Sequence, residues 1–414
     1  MTSPYLTAQE AIAILGVQAN TLYAYVSRGL IRSEVFEGKG HRYCAEDIEN
    51  LRKRKQYRKD PVKLVESALH FGTPLLESSI TLIESGQFYY RGYNAVELAQ
   101  SASLEEVALL LWSGLWVDQA REKYFETPLV LPKLLPPLDL EKFWKNLSAI
   151  ELFQVVLPLV AAEDLSAYDI RKNTVIAKGA FLLKLMVALA ARKLPFSGSF
   201  QGLASLLQES WIPERKDASA LLNSALILCA DHELNVSSFT ARCVASGDST
   251  PYSVVLAGLA AFQGAQHGWY SERVEALFRE VENPLEAPKY LALRLKRGEA
   301  LPGFHHPLYP QGDPRGRALM ELTQKYFPDS PELAKAQAIA QAGFQLVQHY
   351  PTIDFGLVTL VRTLQLPSAT AMTLFALGRT IGWIGHALEQ YEQKKLIRPR
   401  ARYIGERPRP FPKP

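Results

Sequence analysis

Asp231-His232-Glu233-Leu234-Asn235, running on into Val236-Ser237-Ser238-Phe239-Thr240-Ala241-Arg242, sets ionisable and amide side chains in a row directly ahead of a helix of small and apolar residues. Such a row fits a loop at a helix end, where polar groups can converge on a ligand. Three further places share this character. Gln263-Gly264-Ala265-Gln266-His267-Gly268 lies between two helix patterns. Gly303-Phe304-His305-His306-Pro307 is followed by Gln311-Gly312-Asp313-Pro314-Arg315, and Pro351-Thr352-Ile353-Asp354 stands directly before the helix Phe355 to Leu364. Five of the eight histidines fall in or beside these segments, so they are the candidate site.

Each position also has an ordinary reading. His232 could be a satisfied core histidine, and Asp354 an N-cap. Asp313-Pro314 reads as a turn with Arg315 as a solvated first-turn residue. His267 stands near a helix start, where the dipole would hold an imidazole neutral.

Around these segments, from about residue 60 onward, helix patterns are punctuated by Gly and Pro, and alternating β patterns of any length are nearly absent. Asn94 and Ser103 read as successive N-caps, the second opening a helix to Trp112 that Gly114 closes. Residues 128–140 read as a Pro-rich exposed loop. The apolar run Val175 to Leu194 contains Lys178, Lys184, Arg192 and Lys193, which suits a buried core helix and not a membrane span. The large part of the chain is therefore expected to be all-α.

The 414 residues, 48% hydrophobic and 21% charged, suit two or three folded units. The three cysteines form no C-x-x-C pair, and no metal-ligating set is expected. The N-terminus lacks the basic start and apolar run of a signal peptide, so a cytoplasmic location is expected. Charge is uneven: residues 1–59 hold ten Lys/Arg against six Asp/Glu, which accounts for the whole formal excess of +4.

That basic segment reads in detail. Thr7 to Glu10 is a capping box, a helix runs through Ile12 and Leu15, and Gly16 stops it. After a short turn a second helix, Asn20 to Arg28, places Leu22 and Val26 inward and Asn20, Thr21, Tyr23 and Arg28 outward. Leu30 to Arg32, a turn at Glu37-Gly38-Lys39-Gly40, and His41 to Tyr43 look like a hairpin wing, and Asp47 reads as the cap of a last helix. The unit resembles the winged helix-turn-helix domains of the MerR and excisionase group. The resemblance and the charge imply contact with duplex DNA through Asn20, Thr21, Tyr23, Arg28, Lys39 and Arg42. A helical hairpin used only for packing is the alternative.

The remainder resembles the citrate synthases, with matching motifs in the family's order over about residues 70 to 405. DHELNVSSFTAR (231–242) corresponds to their D-H-E-x-N-x-S-x-x-x-x-R, GAQHG to G-P-L-H-G at His267, and GFHH with GDPR to G-[FY]-G-H followed nine residues later by the arginine of D-P-R. PTIDF corresponds to P-N-V-D-x at Asp354. LFALGRTIGW carries Arg379, LIRPRARYIG carries Arg398, and YYRGY (89–93) and ASLEEVALLLW match early helices. The resemblance implies a large helical domain with a small subdomain, about residues 225–330, inserted in residues 60–414, after a unit of residues 1–59.

It also implies condensation of acetyl-CoA with oxaloacetate to citrate and CoA, a step of the tricarboxylic acid cycle. His267, His306 and Asp354 would be catalytic, and His232, Arg315, Arg379 and Arg398 would bind the two carboxylates of oxaloacetate. Arginine suits that task because its planar fork matches a carboxylate. No cofactor is needed, since acetyl-CoA is a substrate. A homodimer is implied, with the arginine matching Arg398 reaching the partner's site; no membrane is involved.

Three departures stand out. Trp269 and Tyr270 follow the His267 loop where the family has small residues. Pro307 and Pro310 replace an Arg and a Lys that face CoA phosphates. His305 occupies the position of the second glycine. The alternatives are a 2-methylcitrate synthase using propionyl-CoA, and a DNA-binding transcriptional regulator with a citrate synthase-like sensor domain.

Overall fold

The computed structural model describes residues 5–36, 40–45, 47–48, 51–52, 76–116, 120–129, 146–194, 202–401 and 403–409. The chain divides into two compact units between Glu77 and Ser78.

In the first unit, Thr7 caps helix α1 (Ala8–Leu15) by the reciprocal box, its hydroxyl accepting from the Glu10 amide at 3.3 Å while its own amide donates to the Glu10 carboxylate at 2.8 Å. Gly16 closes the helix in the left-handed region, at φ 57°. Helix α2 (Ala19–Ser27) follows, and a sheet forms from β1 (Tyr5–Leu6), β2 (Ser33–Phe36) and β3 (Gly40–Cys44) in the order β1-β3-β2, all antiparallel. Ala11, Leu15, Leu22, Ile31, Tyr43, Ile48 and Leu51 form its core.

Two readings change here. The hairpin strand begins at Ser33, after Leu30 to Arg32, because Ile31 is drawn into the core. Asp47 is no cap: it already has helical conformation, with Ala45 helical ahead of it, and its carboxylate accepts from the Arg32 amide at 2.8 Å and from the Arg32 guanidinium at 2.9 and 3.0 Å. An ion pair to the strand start outcompeted the cap because both oxygens and the side-chain fork match. Asn20, Tyr23 and Arg28 are exposed, Thr21 and Arg42 are half-buried, and Lys39 lies outside the described residues.

The second unit opens with a small antiparallel sheet that alternation in the sequence did not reveal, β4 (Thr81–Glu84), β5 (Gln87–Tyr90) and β6 (Tyr93–Asn94). The rest of the unit's described regular structure is helical. Asn94 caps α3 (Ala95–Ser101), and Ser103 caps α4 (Leu104–Ser113), with Gly114 left-handed behind it. The principal helices after these are α5 (Ala149–Glu163), α6 (Lys172–Ala190), α7 (Ala218–Cys229), α8 (Val236–Ala245), α9 (Pro251–Phe262), α10 (Tyr270–Glu280), α11 (Pro314–Tyr326), α12 (Ile353–Thr363) and α13 (Ala369–Gln393).

Helix α13 is the axis of the unit, buried almost continuously from Thr370 to Tyr391, and α6, α7, α8 and α9 pack against it. Each fully buried Leu or Phe on such a helix contributes about 1.5–3 kcal/mol relative to exposure. Helix α6 is long and apolar enough to cross a membrane, yet it is a core helix whose lysines find partners inside the fold. Lys178 pairs with Asp164, and Lys184 donates to the Thr127 carbonyl at 2.7 Å.

Candidate active site

The loop 231–235 is shaped by two local devices. Asn235 caps α8, its side-chain oxygen accepting from the Ser237 and Ser238 amides at 3.1 Å each. Asp231 turns the chain back by accepting from the Glu233 amide at 3.2 Å, with Glu233 in the left-handed region at φ 51°. His232 is thereby buried, its Nε2 sharing a hydrogen bond with the Tyr309 hydroxyl at 2.8 Å. It is not a satisfied core residue alone, because its ring meets His306 edge-on at 5.1 Å. Burial, then the charge of Arg315, hold its pKa well below the usual imidazole value.

His267 sits on the turn between α9 and α10, its ring edge-on to Phe262 at 5.0 Å. It is driven neutral, with a pKa lowered to about 3, by burial first and Arg379 second. The cause is therefore desolvation and a neighbouring cation, where a helix dipole was expected. Its Nε2 lies 2.8 Å from Ser237 Oγ, which also accepts from Trp383 Nε1 at 3.1 Å. The Ser237 hydroxyl proton has two possible acceptors, His267 Nε2 and Asn235 Oδ1 at 2.8 Å. Asn235 Oδ1 has no proton to give, so the hydroxyl donates to it, and in this arrangement Nε2 carries the imidazole proton and donates to Ser237 Oγ.

His306 and Asp354 stand at the two ends of one antiparallel bridge, Phe304 against Pro351. The Thr352 amide donates to the Gly303 carbonyl at 2.8 Å and the His305 amide to the Tyr350 carbonyl at 3.2 Å. His305 has φ 71°, a left-handed conformation that glycine adopts more easily, and its exposed ring lies 4.4 Å from that of His349. His306 turns the other way, toward His232. Its Nδ1 accepts from the Leu308 amide at 3.2 Å, so its proton is on Nε2, and burial followed by Arg315 lowers its pKa to about 4.

Asp313 joins this bridge to α11. Its carboxylate caps the helix through the Arg315 amide at 3.0 Å, grips the Arg315 guanidinium at 2.9 and 2.8 Å, and accepts from the Ile353 amide at 3.0 Å. Asp313-Pro314-Arg315 is thus a wholly buried ion pair and not a solvated turn. Burial alone would lower the Arg315 pKa, but Asp313 outweighs it and raises it. A Cβ at Gly316 would lie 2.5 Å from the Thr352 carbonyl oxygen, so glycine is what allows α11 to meet the start of α12. Thr352 takes the N-cap position, which leaves Asp354 as the second residue of α12, in its first turn and free of capping. Burial lifts the Asp354 carboxyl to about 6, against the lowering effect of Arg315.

Arg379, on α13, is buried with Nε donating to the Cys229 carbonyl at 2.8 Å and its guanidinium 4.9 Å above the Phe375 ring. Its Nη2 is buried without a hydrogen-bond partner among the described residues. Its charge bears on His232, His267, Asp354 and Arg315 alike. Arg398 is not brought to this group within the chain: it is exposed beyond α13 and makes no hydrogen bond or ion pair among the described residues. Tyr309, between the histidine and arginine segments, was missed by the sequence reading, although an aromatic between two prolines beside such motifs was a usable signal.

Residues 69–400 match the family described as citrate synthase, C-terminal domain, and residues 6–64 match the MerR HTH family of regulatory proteins. The chain is 28% identical over 358 residues to citrate synthase 2 of Bacillus subtilis, covering 81% of this chain and 94% of that protein. It is 28% identical over 351 residues to a 2-methylcitrate synthase of Mycobacterium tuberculosis, covering 80% of this chain and 87% of that one. It resembles the solved ternary complex of carboxymethyl coenzyme A and oxaloacetate with citrate synthase from Thermoplasma acidophilum, with TM-score 0.73, 25% identity, and coverage of 84% of this chain and 97% of that one. With a helical fold of the same kind and a family match over most of its length, this chain belongs to the citrate synthase family.

Proposed function

We propose that the protein condenses acetyl-CoA with oxaloacetate to give citrate and CoA. The observation that carries this reading is the Arg379 Nη2, a buried donor without a partner among the described residues, on a cation whose charge acts on both His232 and Arg315. A buried cation with an unpaired donor is costly unless an anion completes it. A small dicarboxylate supplies that anion twice over. Arg315 and Arg379 would take its carboxylates, with His232 beside them, and neutral His306 would donate from Nε2 to its ketone.

The acetyl methyl is a very weak acid, and its removal needs a base and a stabilised enolate. Asp354, with a carboxyl poised near 6, is ionised at neutral pH yet basic enough to take the proton. Neutral His267 donates from Nδ1 to the thioester oxygen as charge develops there, in the tautomer reached when the Ser237 hydroxyl turns from Asn235 Oδ1 to Nε2. The enol carbon then attacks the ketone carbon, whose oxygen takes a proton from His306. Water hydrolyses the citryl thioester, releasing CoA and a carboxylate. No cofactor takes part.

The exposed, unpaired Arg398 supports a homodimer in which this arginine completes the partner's site. The basic first unit, with Asn20, Tyr23 and Arg28 exposed on and beside α2, supports contact with duplex DNA in a cytoplasmic setting. Release of free CoA thiol from acetyl-CoA, with and without oxaloacetate, tests the reaction. Oxaloacetate-dependent release that is lost in Asp354→Ala is the expected result, and no release by the wild type at saturating substrate would refute it.

A further inference from the structure

Asp231 precedes His232, and its side chain is wholly buried. Three donors reach the carboxylate: Thr81 Oγ1 at 2.6 Å, His386 Nε2 at 3.2 Å and the Glu233 amide at 3.2 Å. The residue's backbone is held as well, since the Asp231 amide and carbonyl each lie 3.1 Å from the Tyr90 hydroxyl. Burial pushes the Asp231 carboxyl up, but His386, Arg379 and Thr81 outweigh burial and hold it below its ordinary value.

These donors come from two remote elements. Thr81 and Tyr90 face each other across the β4–β5 hairpin, in register. His386 lies seven residues, about two turns, beyond Arg379 on α13. Between them a Cβ at Gly382 would stand 2.5 Å from both the Ala230 carbonyl oxygen and Asp231 Oδ1, so α13 touches the loop directly. Behind His386, Glu389 accepts from the Ser79 amide and hydroxyl at 2.8 Å each and from Arg242 Nη1 at 3.3 Å. The hairpin, α13 and α8 are thereby locked around the turn that carries His232.

We infer that Thr81 and His386 are positioning residues for substrate: they fix the Asp231 carboxylate, and Asp231 fixes the Glu233 turn that aims His232. The inference rests on the reading that this site takes oxaloacetate. Neither side chain needs to touch the substrate. Loss of the Thr81 hydroxyl leaves a buried carboxylate short of one charge-assisted donor, and the turn that presents His232 relaxes.

Thr81→Val keeps the shape and the β-branch of the strand residue and removes only the donor; Thr81→Ser restores it. Calorimetry on the full chain, titrated with oxaloacetate alone, reads the effect without turnover. Thr81→Val is expected to weaken oxaloacetate binding about tenfold, the loss of one such bond, and Thr81→Ser to bind within about twofold of wild type. Steady-state kinetics should place the change in KM for oxaloacetate and leave KM for acetyl-CoA within about twofold. His386→Gln is expected to shift the same constant in the same direction. Unchanged oxaloacetate affinity in Thr81→Val, an equal loss for both substrates, or no rescue by serine would overturn the inference. Wild-type protein that binds oxaloacetate but releases no CoA would instead overturn the proposed reaction.

Discussion

At the scale of single residues, the site separates protonation states that an unperturbed solution at pH 7 would not. Three histidines are driven neutral, two of them to about 3 and about 4, and one carboxyl is raised to about 6. Of His267, His306 and Asp354, it is Asp354 that titrates in the range where an assay is practical. Activity needs it ionised, so kcat/KM should fall as pH drops through about 6 and stay flat between 7 and 8 on this account; a pH-rate profile checks it. Because the folded-state pKa lies above the unfolded one, ionised Asp354 opposes folding. Stability from this group is present below its unfolded value and is lost as pH rises through about 6. Asp354→Asn should thus lower kcat by roughly a thousandfold while raising the unfolding midpoint at pH 8, measured by thermal denaturation. Ser237→Ala removes the hydroxyl that is hydrogen-bonded to His267 Nε2, and a fall of roughly tenfold or more in kcat is expected with little change in KM for oxaloacetate.

At the scale of elements, helix ends and close crossings place these groups. Caps at Thr7, Asn94 and Ser103 and stops at Gly16 and Gly114 follow rules of a few residues' reach, and that part of the fold was legible. The lattice around Asp231 was not. Its partners Thr81 and His386 stand 150 and 155 residues away, with no spacing that betrays the pairing. Asp313 was read as a turn residue because a lone Asp-Pro has that meaning locally. Its grip on the Ile353 amide depends on a helix crossing made 40 residues later. The crossing itself is testable: a methyl at Gly382 would strike Ala230 and Asp231. Gly382→Ala should destabilise the protein by about 1–3 kcal/mol, read from denaturant unfolding.

At the scale of the whole molecule, the chain joins a small basic unit to a large helical one, and the charge excess in residues 1–59 was the visible sign. If that unit binds duplex DNA through its phosphates, affinity should fall steeply with salt and disappear when residues 1–59 are removed, as measured by fluorescence anisotropy. The family motifs made most of the large unit readable because each is a local string around one reacting group. The reasons for the charge states were not readable, since burial and a neighbouring arginine are tertiary facts. The central claim is a carbon–carbon bond formed between an acetyl methyl and a ketone. The most direct measurement follows methyl-labelled acetyl-CoA mixed with oxaloacetate and the wild-type protein by nuclear magnetic resonance. The account predicts the label in a methylene of citrate with one free thiol per citrate, and label found only in free acetate would contradict it.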